Sequence, residues 1–157
     1  MSHRAGIAKA LVDGLNWELD GTGDYYTNIR EKAQVGNVHY QDITQWPLVT
    51  VSPGPEVRTY QPAGYSECRL NFFIRAYVRD ESKSQEQIES LMSDIETYLD
   101  NNLDLTYNVD TPQGDSSNHQ TVTNTIISIN TSEGLLAPDE IGEIAVEIRY
   151  DKIRGIN

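Results

Sequence analysis

Cysteine is almost absent from this sequence of 157 residues, which contains only Cys68. A single cysteine cannot form an internal disulfide, and it gives no support to a redox pair or to a metal site built on thiolates. Cys68 lies within an alternating apolar pattern, where a buried thiol behaves as a small hydrophobic side chain. These features predict a protein that is made in a reducing compartment.

Long apolar runs and catalytic motifs are also missing. No segment approaches the roughly 20 apolar residues that span a bilayer, so we expect no membrane association. The sequence contains no nucleophile elbow, Walker loop or His-Glu-x-x-His motif. Its three histidines (His3, His39 and His119) lie far apart along the chain, and we expect His3 and His119 to be surface residues. We therefore predict no enzyme activity, no cofactor, and no catalytic, cofactor-binding or metal-binding residues.

Basic residues are scarce: 12 Lys and Arg face 24 Asp and Glu, which gives a net charge of -12. Such a chain is unsuited to reading nucleic-acid sequence, because that task needs cationic contacts to phosphates. The acids are concentrated between Asp80 and Asp115, a stretch in which Lys83 is the only base. The stretch is either a solvated helix face and loop, or a surface that repels DNA or attracts a basic partner.

The pattern of apolar residues predicts one domain over residues 1–157. Helices are expected at 3–17, with Ser2 as N-cap, and at 84–101. Strands are expected at 48–51, 57–60, 67–79, 105–109, 121–130 and around 144–150, with a turn at 52–55 and a flexible loop at 111–118. The order favours an α+β fold: a mostly antiparallel β-sheet with two α-helices packed on one face, plus a protruding hairpin at 48–60.

The long strand at 67–79 has two unlike faces. One face is apolar and belongs in a core: it comprises Cys68, Leu70, Phe72, Ile74, Ala76 and Val78. On the other, arginines alternate with aromatics, both of which are enriched in the cores of interfaces. We predict a subunit interface formed by Arg69, Phe73, Arg75, Tyr77 and Arg79, which would meet the acidic helix of a neighbouring copy. The alternative is an exposed face on which the arginine stems cover the aromatic rings.

The sequence resembles the tail terminator proteins of long-tailed bacteriophages. The resemblance lies in the long strand at 70–78, the helix at 86–95 with Leu99, and the turn at 131–134 followed by the closing strand at 143–150. It implies a hexameric ring that caps the tail tube, ends its polymerisation and docks on a head connector or stopper protein while DNA passes through the middle. It also implies a virion protein of the tail or neck, assembled in the host cytoplasm. Residues 16–66 match this pattern least.

A channel for DNA would suit the acidic stretch. Carboxylates lining a lumen would not hold DNA phosphates, so the genome could slide past them. We predict that Glu86, Glu89 and Asp115 face this lumen. Two other functions remain open: a head-completion or head-tail adaptor protein of the neck, and a small enzyme or ligand-binding domain with a pocket formed by residues 25–46.

Overall fold

A computed structural model of the chain describes residues 1–154. Two helices and seven strands follow one another in the order α1 (His3–Glu18), β1 (Ala33–Val35), β2 (Leu48–Tyr60), β3 (Tyr65–Arg79), α2 (Ser84–Asn101), β4 (Thr106–Asp110), β5 (Ser116–Gln120), β6 (Thr123–Thr131) and β7 (Asp139–Ile153). None of the helices in this part of the chain is both long and apolar enough to cross a membrane.

Five strands form the main sheet in the order β1-β2-β3-β7-β6. All neighbouring pairs are antiparallel except β1 and β2, which are parallel. The two longest strands, β3 and β7, pair without interruption from Tyr65 opposite Ile153 to Arg79 opposite Asp139. β4 and β5 form a separate hairpin that packs on α1. The predicted α+β fold is confirmed.

Both helices cover the same face of the sheet, as predicted. Ser2 caps α1 by accepting a hydrogen bond from the Ala5 amide at 3.2 Å. The apolar residues of β3 predicted to face a core are at most 2% exposed. They pack against one stripe from each helix: Ile7, Leu11 and Leu15 from α1, and Ile88, Leu91, Met92, Ile95, Tyr98 and Leu99 from α2. This side of the sheet is called the inner face below.

The prediction of a protruding hairpin at 48–60 is wrong. β2 runs straight through Ser52–Pro55, with a bulge between Pro53 and Glu56, and it pairs with β3 on both sides of that bulge. The two prolines are tolerated because they lie at this bulge, beyond Val49–Val51, where β2 no longer borders β1 and is an edge strand. Gly54 is needed there, because a Cβ would lie 2.7 Å from the Phe73 ring.

The polar segment predicted to be a flexible loop at 111–118 is also corrected. Residues Ser116–Gln120 form β5, which pairs with β4 and places His119 opposite Tyr107. Because β5 contains no apolar residue, its sequence carries no alternating signal. Its strand conformation depends on the hydrogen bonds to β4, which is itself anchored in the core by Tyr107 and Val109.

Candidate subunit interface

The side of the sheet opposite the helices, called the outer face, carries the arginines of the predicted interface. Each of them is paired with a carboxylate of the same chain. Arg75 Nε lies 2.7 Å from Glu143 and Arg79 Nε lies 2.6 Å from Asp139. Arg69 lies 3.3 Å from both Glu67 and Glu147. Most of these carboxylates come from β7, whose outward residues lie opposite those of β3.

These ion pairs alter the physical basis of the predicted interface. The hydrogen bond from Arg79 holds the pKa of Asp139 below its ordinary value, as expected for a carboxylate that stays charged beside a guanidinium. The arginines therefore do not need the acidic helix of a neighbour to balance their charge. The outer face is a network of neutralised charges rather than an open cationic surface.

Tyr77 departs further from the prediction, because it is only 5% exposed within the single chain. A loop preceding β2 crosses the end of the outer face and buries it. Tyr77 packs with Ile43 and Leu48 in a small apolar cluster, to which Val38, Tyr40, Trp46 and Ile141 add partly buried side chains. The Tyr77 side chain is therefore buried by residues of its own chain.

The same loop fixes the position of Arg79, whose guanidinium lies 4.4 Å from the centre of the Trp46 ring. Tyr40 donates a hydrogen bond to Asp139, the ion-pair partner of Arg79. The sequence does not predict this loop, because its apolar and aromatic residues (Val38, Tyr40, Ile43 and Trp46) have no periodic spacing. Of the predicted interface, Arg69, Phe73 and Arg75 remain on the uncovered part of the outer face, and Arg75 lies 5.4 Å from the Phe73 ring.

The predicted lumen residues lie on the helix-covered side of the sheet. Glu86 and Glu89 are exposed on α2, and Asp115 is exposed in the turn of the β4–β5 hairpin. Glu96 and Asp100 continue the row of Glu86 and Glu89 along α2 at helical spacing. Within the described residues, none of these five acids forms a salt bridge. The acidic side of the molecule is therefore opposite the charge-paired outer face.

Asp94 does not belong to this exposed row, although its sequence position suggests that it should point away from the core. It is 1% exposed and accepts hydrogen bonds from the amides of Tyr26 and Thr27 at 3.0 and 2.7 Å. Its carboxylate also accepts the hydroxyl hydrogen of Thr27. Asp94 thereby ties the irregular segment before β1 to α2.

His3 and His119 come together, which corrects the prediction of two surface histidines. His3 is 5% exposed, and its ring lies 5.3 Å from the Tyr150 ring and 4.8 Å from the His119 ring. Its Nδ1 lies 2.8 Å from the Tyr107 hydroxyl. Burial, and then the proximity of His119, lower the pKa of His3 to about 4. Residues 1–154 contain no cluster of three or more His, Cys, Asp or Glu side chains placed to hold a metal ion.

An open groove of about 350 Å³ lies between α2 and the segment before β1. Its walls include Tyr26, Thr27, Pro47, Glu86 and Leu91. Lys83 and Glu86 are the charged residues that line it, and no histidine or cysteine does.

Comparison with known proteins gives concordant results. Residues 1–156 match a family described as Bacteriophage Tail Tube Terminator Protein. The chain is 34% identical over 156 residues to the tail tube terminator protein p142 of Escherichia phage T5, with 98% of this chain and 97% of that protein covered. A chain in a solved structure of the virion of a native gene transfer agent particle has the same fold, with a TM-score of 0.59 at 11% identity. That likeness covers 97% of this chain and all of the other.

The family match extends over nearly the whole chain, and the identity to the phage T5 protein lies well above the level at which only a fold is shared. The chain therefore belongs to the bacteriophage tail tube terminator protein family.

Proposed function

We propose that six copies of this chain form a ring that caps the end of the phage tail tube and stops its polymerisation. The opposite rim would dock on the head connector or stopper protein, and DNA would pass through the ring. The observation that carries this proposal is the match of residues 1–156 to the tail tube terminator family, together with the relative of phage T5 that bears the same name. A ring is the natural cap because a tube end presents its subunits around an axis, and head-to-tail contacts close around such an axis.

Passage of DNA is supported by the distribution of charge. Glu86, Glu89 and Asp115 are exposed acids on one side of the molecule and have no salt-bridge partner among the described residues. If the helix-covered side faces the channel, these carboxylates repel phosphates and prevent the genome from adhering to the wall. Accordingly, we place Glu86, Glu89 and Asp115 at the channel surface.

The role of the outer face is open to a direct test. Arg69, Phe73, Arg75 and Arg79 stay a predicted subunit interface, although their charges are balanced within the chain. Arg75→Glu places a second carboxylate beside Glu143, so we expect a small loss of stability of about 1 kcal/mol. If the outer face is the interface, light scattering of the ring, assembled on tail tubes if necessary, will show dissociation. An intact ring with folded Arg75→Glu subunits would exclude this surface.

The capping function is tested by deleting the gene in its phage and restoring it from a plasmid. Without the protein, we expect electron micrographs to show tail tubes of variable and excessive length that carry no heads, and the plasmid should restore uniform tails. Tubes of normal length beside unattached heads would contradict the proposal and favour a neck adaptor protein. An intact virion population would exclude both functions.

A further inference from the structure

We propose that the free edge of β6 in one copy pairs with the free half of β2 in the next copy, so that the ring is held together by a sheet continuous across subunits. This inference rests on the proposed ring. It assigns to the ring a contact made by backbone hydrogen bonds at the sheet edges, distinct from the predicted contact through the outer face.

β6 is an unusually unprotected edge strand. It is the outermost strand of the main sheet on the β7 side, and its nine residues include no charged residue, proline or glycine. Proteins normally shield such edges with lysine, proline or very short strands, because unpaired amides and carbonyls recruit another strand. Here the exposed side chains are uncharged, and some are large and apolar: Val122, just before the strand, is 45% exposed, and Ile127 is 59% exposed.

The second free edge lies on the opposite side of the same sheet. β1 borders only Val49–Val51, so Glu56–Tyr60 pairs with β3 on one side and with no strand of the described chain on the other. Val57 and Tyr60 in this segment are 64% and 60% exposed. Arg58 and Glu56 form an ion pair at 2.5 Å, so an incoming strand meets no uncompensated charge from them.

Charge complementarity favours a second copy as the partner. The end of the sheet around the free half of β2 carries three acids and five bases: Glu56, Glu67 and Asp151 against Arg58, Arg69, Arg149, Lys152 and Arg154. The remaining chain is therefore more acidic than the total of -12. β6 itself carries no charge, and the two acids beside it, Glu147 and Glu143, are ion-paired with Arg69 and Arg75. The positive end of one copy is thus attracted to the acidic remainder of the next, and β6 itself carries no base that would oppose the contact.

Strand directions suit the pairing. β6 is antiparallel to β7, β7 to β3 and β3 to β2, so β6 and β2 run in opposite directions within one sheet. Copies arranged around an axis along the strands keep these directions, and β6 meets the neighbouring β2 as an antiparallel partner. Across the sheet, Glu56 pairs with Leu70, Leu70 with Ile148, and Ile148 with Asn124, so the start of the free half of β2 lies at the same height as the start of β6. The neighbour must therefore be displaced along the strands, as in closed barrels with tilted strands. Two different edges form the contact, so it propagates until the ring closes.

Paired cysteines test this contact. Thr59, on β2, lies opposite Glu67 of β3. On β6, the residues Thr125, Ser128 and Asn130 lie opposite Glu147, Ala145 and Glu143 of β7. All four positions are therefore on the outer face. Thr59→Cys is combined in turn with Thr125→Cys, Ser128→Cys and Asn130→Cys, to sample three registers. Cys68 is buried and does not interfere. Assembled tails carrying each variant are oxidised with copper phenanthroline and analysed on non-reducing gels.

One of the double variants should give a ladder of multimers that ends at the closed ring, while each single-cysteine variant stays monomeric. Dimers formed by Ser128→Cys alone would mean that β6 pairs with itself, and they would overturn the proposal. Tails of normal length in which none of the pairs cross-links would also overturn it, while leaving the capping function intact. Excessively long tails formed in the presence of the wild-type protein would instead contradict the proposed capping function.

A lysine on the edge gives an independent test. Ile127→Lys should reduce the amount of ring on tail tubes at least tenfold and leave the circular dichroism unchanged, because the side chain is exposed in the single chain. The matched control is Leu135→Lys, which makes the same kind of change at an 83% exposed residue outside the strands. Equal ring formation by the two variants would contradict the edge contact.

Discussion

Asp94 shows that an acidic residue on α2 can be structural rather than part of a charged surface. Three hydrogen bonds from Tyr26 and Thr27 converge on its buried carboxylate. A buried acceptor that satisfies several donors is costly to remove, because the donors then lose their partners without regaining water. The net charge of the exposed α2 surface is accordingly set by its other acids.

We expect Asp94→Asn to lower the free energy of unfolding by about 2 kcal/mol, because one carboxylate oxygen is replaced by an amide that donates rather than accepts. Urea unfolding followed by circular dichroism measures the change. Glu96→Gln is the matched control: it also converts an acid to its amide, two residues further along α2, but at an exposed position. Equal stabilities for the two variants would mean that the contacts of Asp94 contribute nothing.

His3 makes the stability of the protein depend on pH. Its pKa of about 4 lies below the ordinary value of 6.5. As the pH falls from 6.5 towards 4, the unfolded chain therefore takes up a proton that the folded chain does not, and stability is lost; the loss is complete below about pH 4. Above pH 6.5 the effect is absent. The full shift corresponds to about 3 kcal/mol. Charges facing the ring belong to Glu56, Arg58, Lys152 and His119.

The contribution of His3 is isolated by comparing urea unfolding of the wild-type protein and His3→Asn at pH 7 and pH 4.5. We expect the wild-type protein to lose about 2 kcal/mol more than the variant between these two conditions. His39→Asn, at an exposed histidine, should behave as the wild-type protein does. A His3→Asn variant with an unchanged pH dependence would show that His3 is protonated in the folded chain.

At the scale of elements, strong periodicity decided which predictions succeeded. α1, α2, β3 and β7 each present a regular apolar row to one core, so their existence and inward residues could be read from the sequence. β2 and β5 could not, because the strand character of Ser52–Pro55 and Ser116–Gln120 depends on distant partners. In β6, a bulge between Ile126 and Ser128 places Ile129 opposite Ile144. Simple alternation predicts that Ile127 and Ile129 share a face, and the bulge places them on different ones.

The two helices meet at Gly14, and this contact gives an element-scale prediction. A Cβ at Gly14 would lie 2.0 Å from the Tyr98 hydroxyl oxygen and 2.7 Å from the ring carbon that bears it. Gly14→Ala should thus lower the free energy of unfolding by about 2 kcal/mol through overpacking, although alanine favours helix formation.

Thermal unfolding of Gly14→Ala, Tyr98→Phe and the double variant separates the causes. Removing the hydroxyl should recover part of the lost stability. The double variant is therefore expected to lose less unfolding free energy than the two single variants lose together. Additive losses would place the cause within α1 rather than at the contact between the helices.

For the whole molecule, the two sides of the sheet have different electrostatic characters. On the outer face, acids and arginines neutralise one another through Glu67, Glu143 and Glu147. On the helix-covered side, the exposed acids of α2 (Glu86, Glu89, Glu96 and Asp100) form no ion pair within residues 1–154. If contacts between copies avoid this acidic side, it is available to repel DNA.

The lumen assignment predicts a defect confined to DNA passage. Glu86→Lys, Glu89→Lys and Asp115→Lys together convert three repelling charges to attracting ones, so phosphates should bind the channel wall and slow ejection. We expect normal tail length and normal virion yield, with infectivity at least tenfold lower and DNA release slower in a fluorescence assay with purified virions. The control carries the same change of charge at the exposed acids Asp24, Asp42 and Glu133. Because both variants gain the same charge, a defect shared equally by the two would reflect net charge alone, and unchanged ejection in the first would exclude these acids from the channel surface.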